Sequence, residues 1–300
     1  MAAEPVPEQS AVVADGIRRE FSLGASIERF ATGSLPVFAA GDRYVVKLFP
    51  QKSRRHFESE AAALTNIDGA LTIPTPRVVA TGARGGWCFV VMTRLRGRSL
   101  VEVWPSLRFD ERRRLVGEVG ASLAQLHARS TDGLAPLAVD WSRFMQEQHD
   151  SGRERQAAQG LESRWLEQVE KFLERWYPAD DGRRVLLHTE VMREHLLVDQ
   201  QHGAWQLSGL FDFEPAMVGA PEYEFASVGL FVTCAEPGLL GVALDAYGLR
   251  RDDAFPFRVM AYVLLHRYSN LRWYLERLPV GGHSDLESLA QSWFQHDAGP

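Results

Sequence analysis

The sequence predicts an α+β fold of two lobes, a small antiparallel sheet followed by a larger, mainly helical part, with a cleft between them. Short β-rich segments separated by Gly and Pro occupy the chain up to residue 95. Beyond it, apolar residues recur at helical spacing. Short strand-like segments flank the polar stretch HTEVMREHLLVD at residues 188–199. We therefore predict one lobe over residues 1–95 and a second over residues 96–300.

The first lobe is predicted to follow a polar tail that ends at about Gly16. Gly33-Ser34 marks a turn in the strand-like region, because Gly and short polar side chains favour turns. Residues 57–64, FESEAAAL, are strong helix formers without a breaker and predict a helix. Strands are predicted at residues 44–49, 77–81 and 87–93.

The second lobe is predicted from two amphipathic helices at residues 109–128 and 163–176. Their apolar side chains fall on one face, and such faces usually pack in a core. The chain is predicted to be mainly helical from Tyr223 onward. Short strands are predicted at residues 185–188, 196–198 and 207–211.

Composition excludes several classes of protein. The chain has 300 residues, 45% hydrophobic and 24% charged, which is typical of a globular protein with a real core. A net charge of -6 provides no basic footprint, so no nucleic-acid partner is expected. No stretch approaches the roughly 20 apolar residues of a membrane span, and the N-terminus lacks a signal-peptide pattern. Cys88 and Cys234 lie in apolar runs and predict buried thiols in a cytoplasmic, reducing environment.

A few charged residues occur in an order that suits phosphoryl transfer. This reaction needs a cation at the phosphates, a carboxylate that binds the metal, and a second carboxylate that accepts the proton of the hydroxyl. Lys47 is the only charge in the run YVVKLF, and it either lies at a sheet edge or points into a cleft. Glu60, on the next predicted helix, is its candidate partner. Asp212 follows an apolar strand between two Phe residues, where a metal ion would satisfy its charge.

These motifs resemble the aminoglycoside phosphotransferase family, whose members have a protein-kinase-like two-lobed fold. The family's catalytic motif HGDxHxxN aligns with HTEVMREH, and its metal motif xIDFx aligns with LFDFE. GAPEYEFA, at residues 219–226, resembles the family's G-D-P-x-x-D-L-A, with Glu224 acid for acid and Ala220 in place of an acid. VVKLF, Glu60 and the hinge-like FVVMTRLRGRSL complete the pattern, which covers roughly residues 25–275.

The resemblance implies an ATP- or GTP-binding first lobe and Mg²⁺ as the metal. Lys47, steadied by Glu60, would contact the α- and β-phosphates. Gly33 and Ser34 would offer backbone N–H groups to the phosphates. The hinge that holds the purine would consist of Met92, Thr93, Arg94 and Leu95.

The resemblance also implies the catalytic roles, with two departures from the family pattern. Asp212 would bind Mg²⁺, and Glu190, which replaces the family's Asp, would act as the base. Its additional methylene changes the reach of the carboxylate, and a misplacement of about 1 Å can cost about a hundredfold in rate. His195 replaces the family's Asn, either as a ligand of the second metal or beside the loop. Since Mg²⁺ prefers oxygen ligands, His195 could instead share proton transfer with Glu190.

The two departures leave a second hypothesis open, a pseudokinase that binds nucleotide and acts through a partner protein. Retention of Lys47, Glu60 and Asp212 argues against it. A zinc site built from His188, His195 and His202 is a third possibility, which their spacing on strand, turn and strand disfavours.

The expected acceptor is a hydroxyl of a small-molecule antibiotic, so that the enzyme would confer resistance as a monomer or homodimer. Two acceptor classes stay open: an aminoglycoside such as hygromycin, and a nucleoside antibiotic such as capuramycin. Arg193 in the loop favours the second, because an arginine suits a polycation poorly. Arg193 and Glu214 are the candidate substrate contacts. Acids available for ammonium groups are Glu214, Glu222, Glu236, Asp245, Asp252 and Asp253.

Overall fold

The protein was analysed as a computed structural model, which describes residues 7–295. It confirms the α+β fold, with an antiparallel sheet first and a mainly helical part second. The elements of the first part are α1 (Pro7–Glu20), β1 (Ile27–Arg29), β2 (Val37–Ala40), β3 (Tyr44–Pro50), α2 (Arg54–Asn66), β4 (Val78–Arg84) and β5 (Trp87–Thr93). The division at residue 95 stays a prediction.

The five strands form one antiparallel sheet in the order β1-β2-β3-β5-β4. Lys47 lies on the central strand β3, where it is paired with Val37 on β2 and Val90 on β5. Only 5% of Lys47 is exposed, so it is not an edge residue that reaches solvent. Of the two positions that the sequence allows for this lysine, the structure has the one in the interior.

The first correction concerns the N-terminus, where the sequence predicts a polar tail. From residue 7 the chain instead forms the helix α1, while residues 1–6 lie outside the described residues. Ala14 and Ile17 are fully buried in an apolar cluster with Phe38, Leu48 and Phe89 from the sheet. The helix is stabilised by this packing rather than by its own largely polar sequence.

The second part consists of helices around two small antiparallel sheets. One sheet pairs β7 with β10, and the other has the order β6-β8-β9. The strands are β6 (Arg98–Ser99), β7 (Val185–Leu187), β8 (Leu196–Gln201), β9 (Ala204–Leu210) and β10 (Met217–Gly219). The helices are α3 (Leu100–Val103), α4 (Phe109–His127), α5 (Trp141–Ala158), α6 (Ser163–Trp176), α7 (Glu224–Ser227), α8 (Leu239–Tyr247), α9 (Phe255–Leu265), α10 (Leu271–Leu275) and α11 (Leu286–Trp293).

The predicted helices at 109–128 and 163–176 are confirmed as α4 and α6, and their apolar faces are buried. A π-helix at Val228–Thr233 follows α7. Cys88 is buried as expected, but Cys234 is partly exposed in a left-handed conformation with φ 51°. Within residues 7–295, no helix has both the length and the apolarity that crossing a membrane requires.

Candidate active site

The site is assembled at the polar loop (residues 188–195), which connects β7 to β8. Thr189 has φ 72°, in the left-handed region that Gly adopts without strain and a β-branched residue does not. Its hydroxyl is buried and donates to the carbonyl of Pro215 at 3.0 Å. This position aligns with the Gly of the family's HGD motif, so the backbone conformation is kept here without the glycine.

Glu224, on α7, fixes the start of the polar loop. Its fully buried carboxylate accepts the backbone N–H groups of His188 at 2.7 Å and Thr189 at 2.8 Å. His127 Nε2 lies 3.4 Å from the same carboxylate, and Tyr247 Oη lies 2.8 Å from His127 Nδ1. A buried carboxylate is costly unless hydrogen bonds satisfy it. We call Tyr247, His127 and Glu224 the anchor chain.

The side chain of His188 is a structural connection rather than a metal ligand. Its Nε2 donates to the carbonyl of Phe211 at 3.0 Å, and its Nδ1 accepts the N–H of Glu190 at 3.3 Å. Both ring nitrogens are therefore used within the protein. Burial lowers the pKa of His188 to about 4, which keeps the ring neutral.

Glu190, the predicted base, lies partly buried in the loop. Burial raises the pKa of Glu190, and the charges of Asp212 and Glu214 add to this effect, against those of His195 and Arg267. A raised pKa strengthens a carboxylate as a base, and these charges act only at short range. Glu190 and Asp212 lie on different loops, and His195 contacts both of them, at the Glu190 carbonyl and at the Asp212 carboxylate.

His195 connects these two carboxylates. Its Nδ1 donates to the backbone carbonyl of Glu190 at 2.9 Å, and its Nε2 lies 3.3 Å from Asp212 Oδ2. Because a carbonyl only accepts hydrogen bonds, Nδ1 carries a proton. Two states of Nε2 are then possible. In an imidazolium it carries the second proton and faces the carboxylate of Asp212. In a neutral ring its lone pair points at that carboxylate, and a cation between Nε2 and the carboxylate would be bound by both.

Lys47 contacts three carboxylates that converge from two parts of the chain. Its Nζ lies 2.9 Å from Glu60 Oε2, 2.5 Å from Asp212 Oδ1 and 2.9 Å from Glu214 Oε2. Burial alone would lower the pKa of Lys47, but the three charges together raise it above its ordinary value. Asp212 has φ 71°, so its backbone also adopts a left-handed conformation at the site.

The carboxylate cluster (Glu60, Asp212 and Glu214) has the composition of a divalent-cation site. One oxygen from each residue lies within 4.8 Å of the others. With all three ionised, one ammonium against three carboxylates leaves an excess of two negative charges. Glu214 Oε2 is buried and has no hydrogen-bond partner among the described residues, only the ion pair with Lys47. Burial raises the pKa of Glu60 to about 7, which also reflects this excess of negative charge. Oxygen ligands and uncompensated charge fit Mg²⁺.

The segments predicted to contact the nucleotide are a turn at Gly33-Ser34 and the chain from Met92 to Leu95. Gly33 and Ser34 are exposed in the turn between β1 and β2, and Gly33 has φ 109°, which requires Gly. In the hinge, the N–H groups of Thr93 and Arg94 already donate to the carbonyls of Arg77 and Arg43. Among the described residues, the N–H of Leu95 donates to none. Of these amides, that of Leu95 is therefore still available as a donor, while Met92 on β5 is paired with Val45 and Val78 of the neighbouring strands. Binding of a purine by this segment stays a prediction.

Arg193, a predicted substrate contact, is engaged inside the protein. Its guanidinium lies over the ring of Trp104 at 3.6 Å from the centroid, and its Nε donates to the carbonyl of Val232 at 2.8 Å. It therefore ties the polar loop to Trp104, which directly follows α3, and to the π-helix. Its role toward a substrate stays a prediction.

Most of the acids proposed for ammonium groups are already paired. Glu214 pairs with Lys47. The other ion pairs are Glu222 and Asp252 with Arg258, Glu236 with Arg112, and Asp245 with Arg251. Asp253 is exposed on the surface, with no such partner among residues 7–295.

Arg267, just after α9, lies close to the polar loop, because its guanidinium and the Thr189 hydroxyl both donate to the carbonyl of Pro215. The guanidinium of Arg267 donates to the carbonyl of Pro215 at 2.6 Å and has no carboxylate partner in the described part of the chain. Its charge acts on Glu190 and on the half-exposed Tyr268, whose ring lies 5.6 Å from Arg267 Cζ. The pairing of Glu224 with the polar loop was not predicted from the sequence. A signal for it exists, because a lone acid in the apolar run YEFASVGLF indicates a buried charge that needs partners.

Comparison with known proteins bears on the family and the fold. The sequence profile of the phosphotransferase enzyme family matches residues 26–261. The GDP complex of aminoglycoside 2′-phosphotransferase-IIIa superposes with a TM-score of 0.70 at 17% identity, covering 94% of this chain and 93% of that chain. The streptomycin–ATP–APH(2″)-IIa ternary complex gives a TM-score of 0.62 at 15% identity, covering 94% and 97%. The aminoglycoside phosphotransferase APH(3″)-Id from Streptomyces rimosus gives 0.58 at 14% identity, covering 83% and 95%. At these identities the superpositions show a shared fold.

Proposed function

Because the chain belongs to the phosphotransferase enzyme family, we propose that it transfers the γ-phosphoryl group of ATP or GTP to a hydroxyl of a small-molecule antibiotic. The observation that supports this most strongly is the convergence of Lys47, Asp212 and Glu190. Lys47 contacts Asp212 directly, and His195 connects Asp212 to the backbone of Glu190. The cation, the metal-binding carboxylate and the base therefore occupy one site, as phosphoryl transfer requires.

In this mechanism Lys47 binds the α- and β-phosphates, and Glu60 holds its ammonium in place. Glu190 accepts the proton of the attacking hydroxyl, and its raised pKa makes it a better base than an exposed carboxylate. Mg²⁺, held by Asp212 with Glu214 and His195 at hand, would neutralise charge on the transferred group when bound. Gly33 and Ser34 orient the phosphates, and Leu95 binds the purine.

For the acceptor, we favour a nucleoside antibiotic of the capuramycin kind over an aminoglycoside such as hygromycin. An aminoglycoside carries several ammonium groups, which need unpaired carboxylates. Most candidate acids are already paired. Arg267 has no carboxylate partner among the described residues. Its guanidinium shares the Pro215 carbonyl with the hydroxyl of Thr189, the neighbour of Glu190 in the chain. A half-exposed Tyr268 next to Arg267 suits a planar base. Neutral or anionic acceptors therefore fit this side of the site better than polycations.

A mass-spectrometric assay tests the proposal. The protein is incubated with Mg²⁺ and either ATP or GTP, together with a panel of aminoglycosides and nucleoside antibiotics. We expect one compound to gain the mass of a phosphoryl group, and Asp212→Asn to abolish that gain. A product formed only from aminoglycosides would disprove the acceptor class while leaving phosphotransfer intact.

Nucleotide binding without product across the whole panel would instead favour the pseudokinase. Retention of Lys47, Glu60 and Asp212 in contact argues against that alternative. The cytoplasmic location and the monomeric or homodimeric state stay predictions.

A further inference from the structure

A cavity of about 680 Å³ lies among the helices of the second part, apart from the residues of the proposed nucleotide and acceptor sites. Its walls come from the end of α4, the segment before β7, the segment before α7, the end of α8 and one face of α9. This volume lies in the range of small-molecule sites. Nothing in the proposed phosphotransfer uses it.

Two arginines at this cavity have no described partner for their charge. The guanidinium groups of Arg183 and Arg250 make no hydrogen bond and no ion pair within residues 7–295, and both side chains are exposed. The third arginine, Arg258, is neutralised by Glu222 and Asp252. The exposed carboxylate of Asp181 also lines the cavity and accepts the backbone N–H of Arg183, so it offsets one of these two charges. The cavity therefore presents a net excess of one guanidinium charge next to two tyrosine rings, Tyr247 and Tyr262.

The anchor chain connects the floor of this cavity to the polar loop. Tyr247 and His127 both line the cavity. Since the carboxylate of Glu224 only accepts, His127 Nε2 donates to it, and a neutral ring then accepts the Tyr247 proton at Nδ1. Glu224 in turn holds the N–H groups of His188 and Thr189. Three consecutive contacts thus separate the cavity from the start of the polar loop.

We propose that this cavity binds a small organic anion, a phosphate ester or a polycarboxylate, and that its occupancy changes the polar loop through Tyr247, His127 and Glu224. Arg183 and Arg250 bind the anionic groups, because unpaired guanidinium groups suit carboxylate and phosphate oxygens. The hydroxyl of Tyr247 has one proton, so it cannot donate to the ligand and to His127 at the same time. A bound anion therefore weakens the support of Glu224 and loosens the loop. The regulatory consequence rests on the proposed phosphotransfer, but binding and loosening do not.

Binding is tested by calorimetry on the full chain, with citrate and pyrophosphate as separate probes. Excess ADP and GDP occupy the nucleotide cleft, and Mg²⁺ is omitted because both probes chelate it. We expect at least one probe to bind, and the double variant Arg183→Ala/Arg250→Ala to bind it at least about tenfold more weakly. Arg153→Ala, an exposed arginine on α5 outside the cavity, is the matched control. Absence of binding, or binding that the double variant retains, overturns the proposal.

The connection to the loop is tested by hydrogen–deuterium exchange at the amides of His188 and Thr189, which needs no activity. We expect these amides to exchange faster when the probe is bound, and Tyr247→Phe to remove the effect of the probe. Unchanged or slower exchange in the liganded wild-type protein contradicts the connection. Neither measurement depends on phosphoryl transfer. A negative result in either one therefore contradicts this proposal without bearing on the proposed phosphotransferase activity.

Discussion

His195 Nδ1 donates a hydrogen bond to the backbone carbonyl of Glu190 at 2.9 Å. This bond fixes the ring so that Nε2 lies 3.3 Å from Asp212. One histidine thus contacts both the backbone of the proposed base and the carboxylate that is proposed to bind the metal. The family pattern has Asn here, and the longer His side chain accompanies the longer Glu at position 190.

Replacement of His195 separates these two roles. His195→Asn restores an oxygen ligand for Mg²⁺, and we expect it to keep Mg²⁺ affinity while kcat falls, because Glu190 loses its support. His195→Ala removes both the hydrogen bond to Glu190 and the possible metal ligand, and we expect Mg²⁺ affinity to fall by about ten- to a hundredfold. Mg²⁺ titrations of the turnover rate measure both effects. His202→Asn, on an exposed hairpin turn, should change neither; equal effects in the two Asn variants would contradict the assignment.

Glu190→Gln tests the base. The amide keeps the shape of the side chain but cannot accept the hydroxyl proton, so we expect kcat to fall by about a hundred- to ten-thousandfold. Nucleotide affinity should stay within a factor of about three, since Lys47 and the hinge are untouched. Glu194→Gln, an exposed acid in the same loop, is the control. Full activity in Glu190→Gln would exclude this residue as the base.

Glu224→Gln tests the support of the polar loop. A carboxamide has one accepting oxygen, so one of the N–H groups of His188 and Thr189 would lose its buried partner. We expect the free energy of unfolding to fall by about 2 kcal/mol and kcat to fall with little change in nucleotide KM. Denaturant unfolding and steady-state kinetics measure these effects. Asp253→Asn on the exposed surface should leave both unchanged.

The left-handed backbone of Thr189 predicts that, at this position, a Gly variant is more stable than an Ala variant, the reverse of the order in a helix. With φ at 72°, Ala retains the strain of a Cβ and Gly does not. We expect Thr189→Gly to be more stable to unfolding than Thr189→Ala by about 1 kcal/mol. At Ser122, in the middle of α4, Gly should be less stable than Ala by about 1 kcal/mol. The same order at both positions would show that Thr189 is not strained.

Stability should depend on pH through His266. Burial, with the charge of Arg267 adding, lowers the pKa of His266 from 6.5 to about 3. The unfolded chain therefore binds a proton that the folded one excludes, so stability is fully present above the unfolded pKa and is lost as the pH falls through it. This group alone should cost about 2 kcal/mol of unfolding free energy between pH 7 and pH 5. His266→Gln should lose less stability over that interval than the wild-type protein does. His202→Gln is the control, and an equal loss in all three proteins would contradict the prediction.

Local sequence predicted most of the elements but not all. The helices α4 and α6 were found because their apolar residues repeat at helical spacing. The helix α1 was missed because its apolar residues Val13, Ala14 and Ile17, although at helical spacing, stand in an otherwise polar segment. The helix α5 was missed because its sequence is largely polar after Met145. For α1, burial of Ala14 and Ile17 on the sheet stabilises the helix, and this contact is absent from a local pattern.

The sequence by itself determined the order of the site residues and their chemical types, because the motifs and their spacing are read directly from the chain. From it we expected Lys47 to pair with Glu60 and to share one site with Glu190 and Asp212. The contacts that join these residues could not be read from the sequence. Lys47 and Asp212 are 165 positions apart, and only the packing of the sheet against the helical part brings them to 2.5 Å. Tertiary structure likewise decided the pairing of acids with arginines and the buried contact of Glu224 with the polar loop. It also left Arg267 without a carboxylate partner among the described residues. Charge interactions depend on distance and burial, and neither quantity can be read from the position of a residue in the chain.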